Sequence, residues 1–223
     1  MMRVAAFFDI DETLIAGKSM FDFLRFHLAD DRTPDRGQAA RLAEFDRLVA
    51  AGGASRSTVN RQYYRIYRGV PADLVRRQGL EWFARSRRTA GFIKPEVVGA
   101  LVRHRLSGHR VVLVSGSFPA CADPLASALG AHHVLCTRPV VGPDGLLTGE
   151  VDRSVIGDVK STAVRELARR EGLSLPLSFG YGDHASDLPL LREVGHPVVV
   201  GADPELGRHA DRNQWLRIAG VAA

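Results

Sequence analysis

The sequence has very few cysteines, no long apolar run and no internal repeat, and each absence excludes a class of protein. Its 223 residues include only two cysteines, Cys121 and Cys136, and their spacing fits neither a zinc site nor a disulfide framework. We interpret both as small buried residues of a reduced, cytoplasmic protein. No apolar run approaches the roughly 20 residues that a membrane-spanning helix needs, and an N-terminus leading directly into a strand argues against a signal peptide.

Lysine is also scarce, because only three of the 30 basic residues are lysines. The 25 acidic residues leave a net charge of +5, which is compatible with nucleic acid, a membrane surface or an acidic small substrate as a partner. The arginines are scattered, however, and aromatic residues do not alternate with them as a face for single-stranded nucleic acid requires. We therefore expect a solvated arginine-rich surface, with nucleic acid disfavoured as a partner.

Apolar periodicity divides the chain into a helical part and an α/β part. Residues 3–9 are predicted as a strand, and Met20, Phe23 and Leu24 then begin a series at helical spacing. Pro34 and Gly37 indicate a break after this helix. Further helices are predicted over residues 39–51, 58–67 and 72–84. Residues 17–90 therefore contain helices and no convincing strand.

From residue 91 onward, predicted strands and helices alternate. Strands are expected over residues 110–114, 134–141, 177–181 and 198–200, with a hairpin at 144–151 and helices over 95–106, 119–129, 158–171 and 188–194. Such alternation is typical of a mostly parallel sheet. We predict an α/β fold, in which a Rossmann-like, doubly wound catalytic core (residues 1–16 and 91–223) carries an inserted, all-helical cap (residues 17–90).

Reactive polar residues stand where the predicted strands end or a helix begins. They are Asp9 and Asp11, Ser115, Lys160, and Asp183 and Asp187. Because the carboxyl ends of parallel strands meet at one edge of a sheet, these side chains can converge there. Carboxylate oxygens suit Mg²⁺, whereas an ammonium group and a hydroxyl suit a phosphoryl group. Together they indicate a site for phosphoryl transfer.

The order and spacing of these residues resemble the four motifs of the haloacid dehalogenase (HAD) superfamily of phosphohydrolases. The first motif is Asp-Ile-Asp-Glu-Thr at residues 9–13, and the last is Gly-Asp followed by Asp187. A helical insertion directly after the first motif, together with residues 187–198, is similar to the phosphoserine phosphatase-like subfamily IB. The resemblance covers the whole chain and implies a HAD-like core with an inserted cap.

The resemblance also implies a mechanism that these residue types can support. Asp9 would attack phosphorus and form an aspartyl-phosphate. Asp11 would protonate the leaving alkoxide and later take a proton from the attacking water. Ser115, the Gly116 amide and Lys160 would hold the phosphoryl oxygens through the transition state.

A Mg²⁺ ion is the implied cofactor. Asp9, the backbone carbonyl of Asp11, and Asp183 would hold it, and Asp187 would orient the ion or its waters. Its charge would offset repulsion between the attacking carboxylate and the anionic ester. Thr13 would fix the turn after the first strand.

Two departures from the family pattern concern substrate selectivity. Phosphoserine phosphatases carry a glutamate nine residues after the nucleophile, where this sequence has Lys18. A cation there disfavours phosphoserine and favours an acidic or neutral leaving group, unless Lys18 points to solvent. His184 replaces a small residue and could contact the substrate or a ligand of the metal. Arginines at 61, 65 and 68 could meet an anionic substrate, but a solvated stripe is the preferred interpretation.

The sequence leaves other functions open. The preferred hypothesis is a phosphatase acting on a small phosphorylated metabolite, with no membrane partner. A phosphotransferase or mutase would use the same aspartyl-phosphate, and a lipid phosphate or a nucleic-acid end is an alternative substrate. A catalytically silent module that binds Mg²⁺ and phosphate is the non-enzyme alternative. The oligomeric state is not predicted.

Overall fold

The computed structural model describes residues 3–33 and 37–219; the predicted break at Pro34 lies outside this range. The strands are β1 (Ala5–Phe8), β2 (Arg110–Ser115), β3 (His133–Cys136), β4 (Pro139–Val141), β5 (Leu147–Val151), β6 (Phe179–Gly182), β7 (His196–Val200) and β8 (Leu216–Ile218). The α-helices are α1 (Ser19–Leu28), α2 (Gln38–Ala51), α3 (Arg56–Arg65), α4 (Ala72–Ser86), α5 (Pro95–Leu106), α6 (Pro119–Leu129), α7 (Asp158–Glu171), α8 (Leu188–Leu191) and α9 (Pro204–Asn213).

Six strands form one sheet in the order β3-β2-β1-β6-β7-β8. Every pair of neighbours in it is parallel. The connections therefore cross over through helices, as the alternating sequence pattern predicts. The remaining two strands, β4 and β5, form a separate antiparallel hairpin. The predicted α/β class with a mostly parallel sheet is confirmed.

Both faces of the sheet are covered, which explains why β1 is a continuous apolar run. Ala5 and Phe7 pack on one face against the apolar side of α7. Ala6 and Phe8 point to the opposite face, where they join a cluster that includes residues of α5 and α6. With helices on both faces, the free surface for ligands is the edge where the strands end.

The helices α1 to α4 follow β1 and pack tightly against the rest of the molecule. The Phe118 ring, just before α6, lies 5.4 Å from the rings of both Phe23 and Tyr64. Helices α4 and α6 cross so closely that a Cβ on Gly79 would stand 2.1 Å from the carbonyl oxygen of Ala120. We propose that these helices, residues 17–90, form a cap on a catalytic core of residues 1–16 and 91–223.

The single strand predicted over residues 134–141 is wrong. The structure has β3 in the large sheet and β4 in the hairpin, separated by residues 137–138. The pairing of β2 with β3 ends at Ser115 and Cys136, and the Thr137 amide then donates to the Ser117 carbonyl at 2.9 Å, beyond the end of β2. Pro139, which has no amide hydrogen, then begins a strand that pairs only with β5.

The C-terminal helix α9 and strand β8 were not predicted from the sequence. Helix α9 buries few apolar side chains, among them Leu206 and Ala210, and β8 is a short edge strand with Leu216 exposed. The apolar residues of α9 have helical spacing but are few in a mostly polar sequence, and β8 has only three residues, so neither element was recognised. Within the described part of the chain, no helix combines the length and apolar character needed to cross a bilayer.

Candidate active site

The structure brings the predicted site residues together at the carboxyl edge of the sheet. Asp9 follows β1, Ser115 ends β2, Asp183 follows β6, and Lys160 lies in the first turn of α7. They share a cavity of about 240 Å³. Its lining includes each site residue that the sequence predicts: Asp9, Asp11, Lys18, Ser115, Gly116, Lys160, Asp183, His184 and Asp187.

A cluster of carboxylates and one ammonium group forms the floor of this cavity. Oxygens of Asp9, Asp183 and Asp187 all lie within 4.8 Å of one another. The Lys160 ammonium donates to Asp9 Oδ1 and, at 2.6 Å, to Asp187 Oδ1. Lys160, Asp9 and Asp187 are all buried. One cation therefore faces three carboxylates, and the excess negative charge of the cluster would attract a second cation.

The pKa values in the cluster show the same imbalance. Burial raises the pKa of Asp9, and the neighbouring Asp187 adds to this effect, although Lys160 opposes it. Burial, with Asp187, likewise raises the pKa of Asp183 to about 6. Burial alone would lower the pKa of Lys160, but Asp187 and Asp9 more than reverse this effect, so the ammonium stays charged. A hard divalent cation fits this donor set because it would relieve the repulsion among the buried oxygens.

The Asp11 side chain lies on the other side of the cavity, toward the inserted helices. Its Oδ1 accepts a hydrogen bond from the Ser19 amide at 2.9 Å, at the start of α1. Burial raises its pKa even though this bond favours the charged form. Its carboxylate is not part of the three-carboxylate group, so a metal contact from Asp11 would come from its backbone carbonyl, as the resemblance implies.

The turn after Asp11 is strained and is tied to the acidic cluster. Glu12 has φ of 60°, the left-handed region that non-glycine residues rarely adopt. Thr13 follows, and its hydroxyl donates to Asp183 Oδ1 at 2.8 Å. Thr13 thus does more than its predicted role in the turn, because it also orients a carboxylate from the end of another strand.

The loop after β2 lines the cavity with Ser115, Gly116 and Ser117. The Ser117 amide donates to Ser115 Oγ at 3.0 Å, which leaves the Ser115 hydroxyl hydrogen available for a ligand. Gly116 lies against the segment before α7, where an added Cβ would stand 2.8 Å from Ile156 Cγ1. A larger residue at position 116 would have to displace the Ile156 side chain.

Two cavity residues on α3, Arg56 and Asn60, were missed by sequence reasoning. Arg56 donates to His184 Nδ1 at 2.8 Å and to Ser186 Oγ at 2.7 Å, so it joins the inserted helices to the loop after β6. His184 also accepts from the Ser186 amide at 2.9 Å and thereby caps the short turn Ala185–Asp187. These contacts give His184 a structural role at the cavity wall.

The signal that could have located Arg56 is the helix cap before it. The Ser55 side chain accepts a hydrogen bond from the Thr58 amide at 3.1 Å and caps the start of α3. The helix therefore begins two residues earlier than predicted. The arginines considered instead, Arg61, Arg65 and Arg68, do not line the cavity. Arg68 donates to the Thr148 carbonyl at 3.0 Å on the hairpin.

Lys18 stands at the cavity mouth with its side chain 45% exposed. Its ammonium lies 3.8 Å from a carboxylate oxygen of Glu12, a loose contact in solvent. Lys18 is therefore free to turn toward a ligand.

Fold and site together define a class of protein, a doubly wound α/β protein with a buried acidic cavity at the carboxyl edge of its sheet. A family model described as haloacid dehalogenase-like hydrolase matches residues 6–192, and the chain belongs to this family. Membership in the family, with phosphatases among the relatives, makes the protein a phosphoric monoester hydrolase.

The sequence matches to similar proteins cover nearly the whole chain. A Streptomyces azureus protein named "Inhibition of morphological differentiation protein" is 35% identical over 218 residues, which cover 96% of this chain and 77% of that protein. A probable phosphatase of Mycobacterium tuberculosis is 33% identical over 215 residues, with coverage of 96% and 74%. A substrate-bound phosphoserine phosphatase has the same fold, with a TM-score of 0.69 and 19% identity over 99% of this chain and 94% of that one.

Proposed function

We propose that the protein is a Mg²⁺-dependent phosphatase that hydrolyses a small phosphomonoester through an aspartyl-phosphate on Asp9. The observation that carries the proposal is the position of the Asp9 carboxylate. It is buried at the end of β1 and hydrogen-bonded to the Lys160 ammonium, and it lines the same cavity as the Ser115 loop. A nucleophile, a cation and phosphoryl-oxygen donors thus face one small space.

The surrounding residues fit the remaining steps of hydrolysis. Ser115, the Gly116 amide and Lys160 would hold the phosphoryl oxygens while Asp9 attacks phosphorus. Asp11 would protonate the leaving alkoxide, and its raised pKa favours the protonated form required for this. Asp11 faces the inserted helices, the direction in which the leaving group would extend.

The carboxylates of Asp9, Asp183 and Asp187 and the carbonyl of Asp11 would hold the Mg²⁺ ion. When bound, the ion supplies the positive charge that offsets repulsion between these carboxylates and the anionic ester. Thr13, which donates to Asp183 Oδ1 at 2.8 Å, would keep that carboxylate oriented.

The cavity wall favours a small substrate with an acidic or neutral leaving group. Lys18 and Arg56 bring two positive charges to it, whereas Met20, Phe21 and Val59 contribute apolar surface. An ammonium group on the leaving alcohol would be repelled, so phosphoserine is disfavoured. A cavity of about 240 Å³ supports a small metabolite as the substrate over a membrane surface or a nucleic acid.

The proposal is tested by phosphate release from a panel of sugar, amino-alcohol, nucleotide and lipid phosphates, with and without Mg²⁺. We expect Mg²⁺-dependent release that Asp9→Asn abolishes and that Asp73→Asn, at an exposed aspartate on α4, leaves unchanged. Wild-type activity retained in Asp9→Asn would overturn the assigned nucleophile. Added acceptor alcohols distinguish transfer from hydrolysis. Failure to form a phosphoenzyme with reactive acyl phosphates would favour a silent binding module.

A further inference from the structure

The amide side chain of Asn60, on the inserted helix α3, is buried against the phosphate-binding loop. Its Nδ2 donates to the Gly116 carbonyl at 2.8 Å. Its Oδ1 accepts from the Ser154 hydroxyl at 2.7 Å, in the segment that leads to α7 and Lys160. Because a carbonyl can only accept, the orientation of the amide is fixed by these two partners. One side chain of the insertion thus joins both segments that supply phosphoryl-oxygen donors.

The bond to Gly116 controls a peptide group that matters for the site. The carbonyl of Gly116 and the amide of Ser117 belong to one planar peptide. That amide donates to Ser115 Oγ at 3.0 Å. A donor that holds the carbonyl therefore also sets the direction of the Ser115 hydroxyl.

The loop needs such a restraint because of the glycine itself. A Cβ on Gly116 would stand 2.8 Å from Ile156 Cγ1, so a stiffer residue would have to displace that side chain, and glycine has the most conformational freedom of any residue. Two donors from α3 supply the restraint, Asn60 Nδ2 and the Tyr64 hydroxyl, which lies 3.2 Å from the same oxygen. Asn60 is the shorter contact and is 3% exposed.

We propose that Asn60 is a positioning residue of the phosphatase reaction, through which the inserted helices orient the Gly116–Ser117 peptide and the Ser115 hydroxyl. The inference rests on the proposed function. The phosphoryl oxygens move as the transition state forms, so a misdirected loop costs more there than in the substrate complex. Loss of Asn60 should therefore lower kcat more than it raises KM. The donors of the Ser115 loop are fully oriented toward the phosphoryl oxygens only while α3 packs against that loop.

The decisive comparison is between Asn60→Asp and Gln62→Glu, the same amide-to-carboxylate change on one helix. Asn60→Asp sets a carboxylate oxygen against the Gly116 carbonyl, whereas Gln62 does not line the cavity. With p-nitrophenyl phosphate and Mg²⁺, we expect Asn60→Asp to lower kcat about 10- to 100-fold, with KM changed by less than about threefold. Gln62→Glu should match the wild-type protein.

Two further readouts separate positioning from general damage. Orthovanadate mimics the five-coordinate transition state, so Asn60→Asp should weaken its inhibition more than that of inorganic phosphate. At low pH the introduced carboxylic acid is protonated and can donate to the Gly116 carbonyl. The kcat deficit should therefore shrink as the pH falls toward about 5. Equal kcat for both variants, a loss confined to KM, or equal weakening of both inhibitors would overturn the inference.

A milder variant keeps the inference testable if Asn60→Asp does not fold. Tyr64→Phe removes only the longer hydrogen bond to Gly116, and we expect kcat to fall about two- to fivefold with KM unchanged. Unchanged kcat in a folded Tyr64→Phe protein would assign the restraint of this carbonyl to Asn60 alone, whereas unchanged kcat in a folded Asn60→Ala protein would overturn the inference. Absence of turnover in the wild-type protein would overturn the proposed function instead, and vanadate titration of wild type and variants would still test the loop geometry.

Discussion

The cavity has two sides that are built on different principles, the carboxyl edge of the sheet and the inserted helices. On the sheet side, Asp9, Lys160 and Asp187 are almost fully buried and held by hydrogen bonds. On the helical side, Met20 and Val59 are only partly buried and make apolar contacts. The sheet topology thus fixes the positions of the buried charged groups, whereas side chains on the inserted helices form the more apolar wall of the cavity.

The two sides also differ in what stabilises them. The sheet side concentrates like charges, so its stability depends on cations. The helical side is joined to the core by aromatic packing, in which the Phe118 ring lies 5.4 Å from Phe23 and 5.7 Å from Tyr67. Such packing does not depend on ions. Substitutions on the two sides should therefore respond differently to Mg²⁺.

The largest effect is expected for Lys160→Met, which leaves the buried carboxylates without their ammonium partner. We expect a loss of activity of at least about 10³-fold. Without divalent cations the free energy of unfolding should fall by about 3–5 kcal/mol. Mg²⁺ should restore more stability to this variant than it adds to the wild-type protein, because it binds the folded carboxylate cluster. Urea denaturation with and without Mg²⁺ measures both quantities.

The control for this prediction is Arg165→Met on the same helix. Arg165 pairs with Glu193 near the surface, and such pairs contribute at most about 1 kcal/mol. Its stability should show no added dependence on Mg²⁺. Equal responses of the two variants to Mg²⁺ would contradict an ionic origin for the stability of the sheet side.

The next largest effect concerns the crossing of α4 and α6, where the helical side meets the core. An alanine Cβ at Gly79 would lie 2.1 Å from the Ala120 carbonyl oxygen, so the helices must separate. We expect Gly79→Ala to lower the free energy of unfolding by about 1–3 kcal/mol, equally with and without Mg²⁺.

Gly99→Ala is the matched control for that substitution. A Cβ at Gly99, inside α5, would have only Arg103 Nη1 nearby, at 3.6 Å. Without a clash, the higher helix propensity of alanine should raise the free energy of unfolding by about 0.5–1 kcal/mol. Thermal denaturation shows the opposite signs directly. Destabilisation of similar size in both variants would contradict the close crossing.

A buried histidine beneath the sheet gives the core a predicted sensitivity to acid. His104 Nε2 lies 2.9 Å from the Tyr181 hydroxyl, and burial, with the neighbouring His109, lowers its pKa to about 4. Above a pH of about 6.5, His104 is neutral in the folded and the unfolded chain and the pKa shift contributes nothing. As the pH falls from there toward 4, only the unfolded chain gains the proton, so the stability of the fold decreases.

We expect His104→Gln to reduce the acid-induced fall in the free energy of unfolding by about 2 kcal/mol. Glutamine stays neutral and can still form a hydrogen bond with the Tyr181 hydroxyl. The measurement is the free energy of unfolding by urea at several pH values between about 7 and about 4.5. A pH dependence identical to that of the wild-type protein would contradict a lowered pKa for His104 in the fold.

Much of the sheet side could be predicted from the sequence, because its groups are tied to strand ends. Asp9, Ser115 and Asp183 each follow an apolar run, and parallel strands bring their ends together whatever lies between them. Lys160 could be placed because it begins a helix of the same α/β series. The split of residues 134–141 had a local signal that was overlooked, because Pro139 has no amide hydrogen to donate to the ladder of the large sheet.

The contacts of polar residues on the helical side could not be predicted, and the reason is physical. Asn60 and Arg56 are polar residues on a polar helix, and by periodicity alone they look like part of a solvated face. Their partners, Gly116 and His184, lie 56 and 128 residues away in sequence. Long-range packing decides which polar residues of α3 meet the core, and apolar periodicity does not distinguish them from solvated ones.

The smallest predicted effect concerns substrate charge at Lys18. Because the side chain is 45% exposed, solvent screens the interaction of its charge with a substrate. We expect Lys18→Glu to change the transition-state free energy for a charged substrate by about 1 kcal/mol, or roughly fivefold in kcat/KM. The suitable pair of substrates is phosphoethanolamine and phosphoglycolate, small esters that end in an ammonium and a carboxylate. Lys18→Glu should raise the ratio of their kcat/KM values in favour of phosphoethanolamine. Lys18→Gln should give about half of that shift, because it removes repulsion without adding attraction. An unchanged ratio in both variants would mean that Lys18 stays in solvent beside Glu12 and that Arg56 alone sets the charge preference.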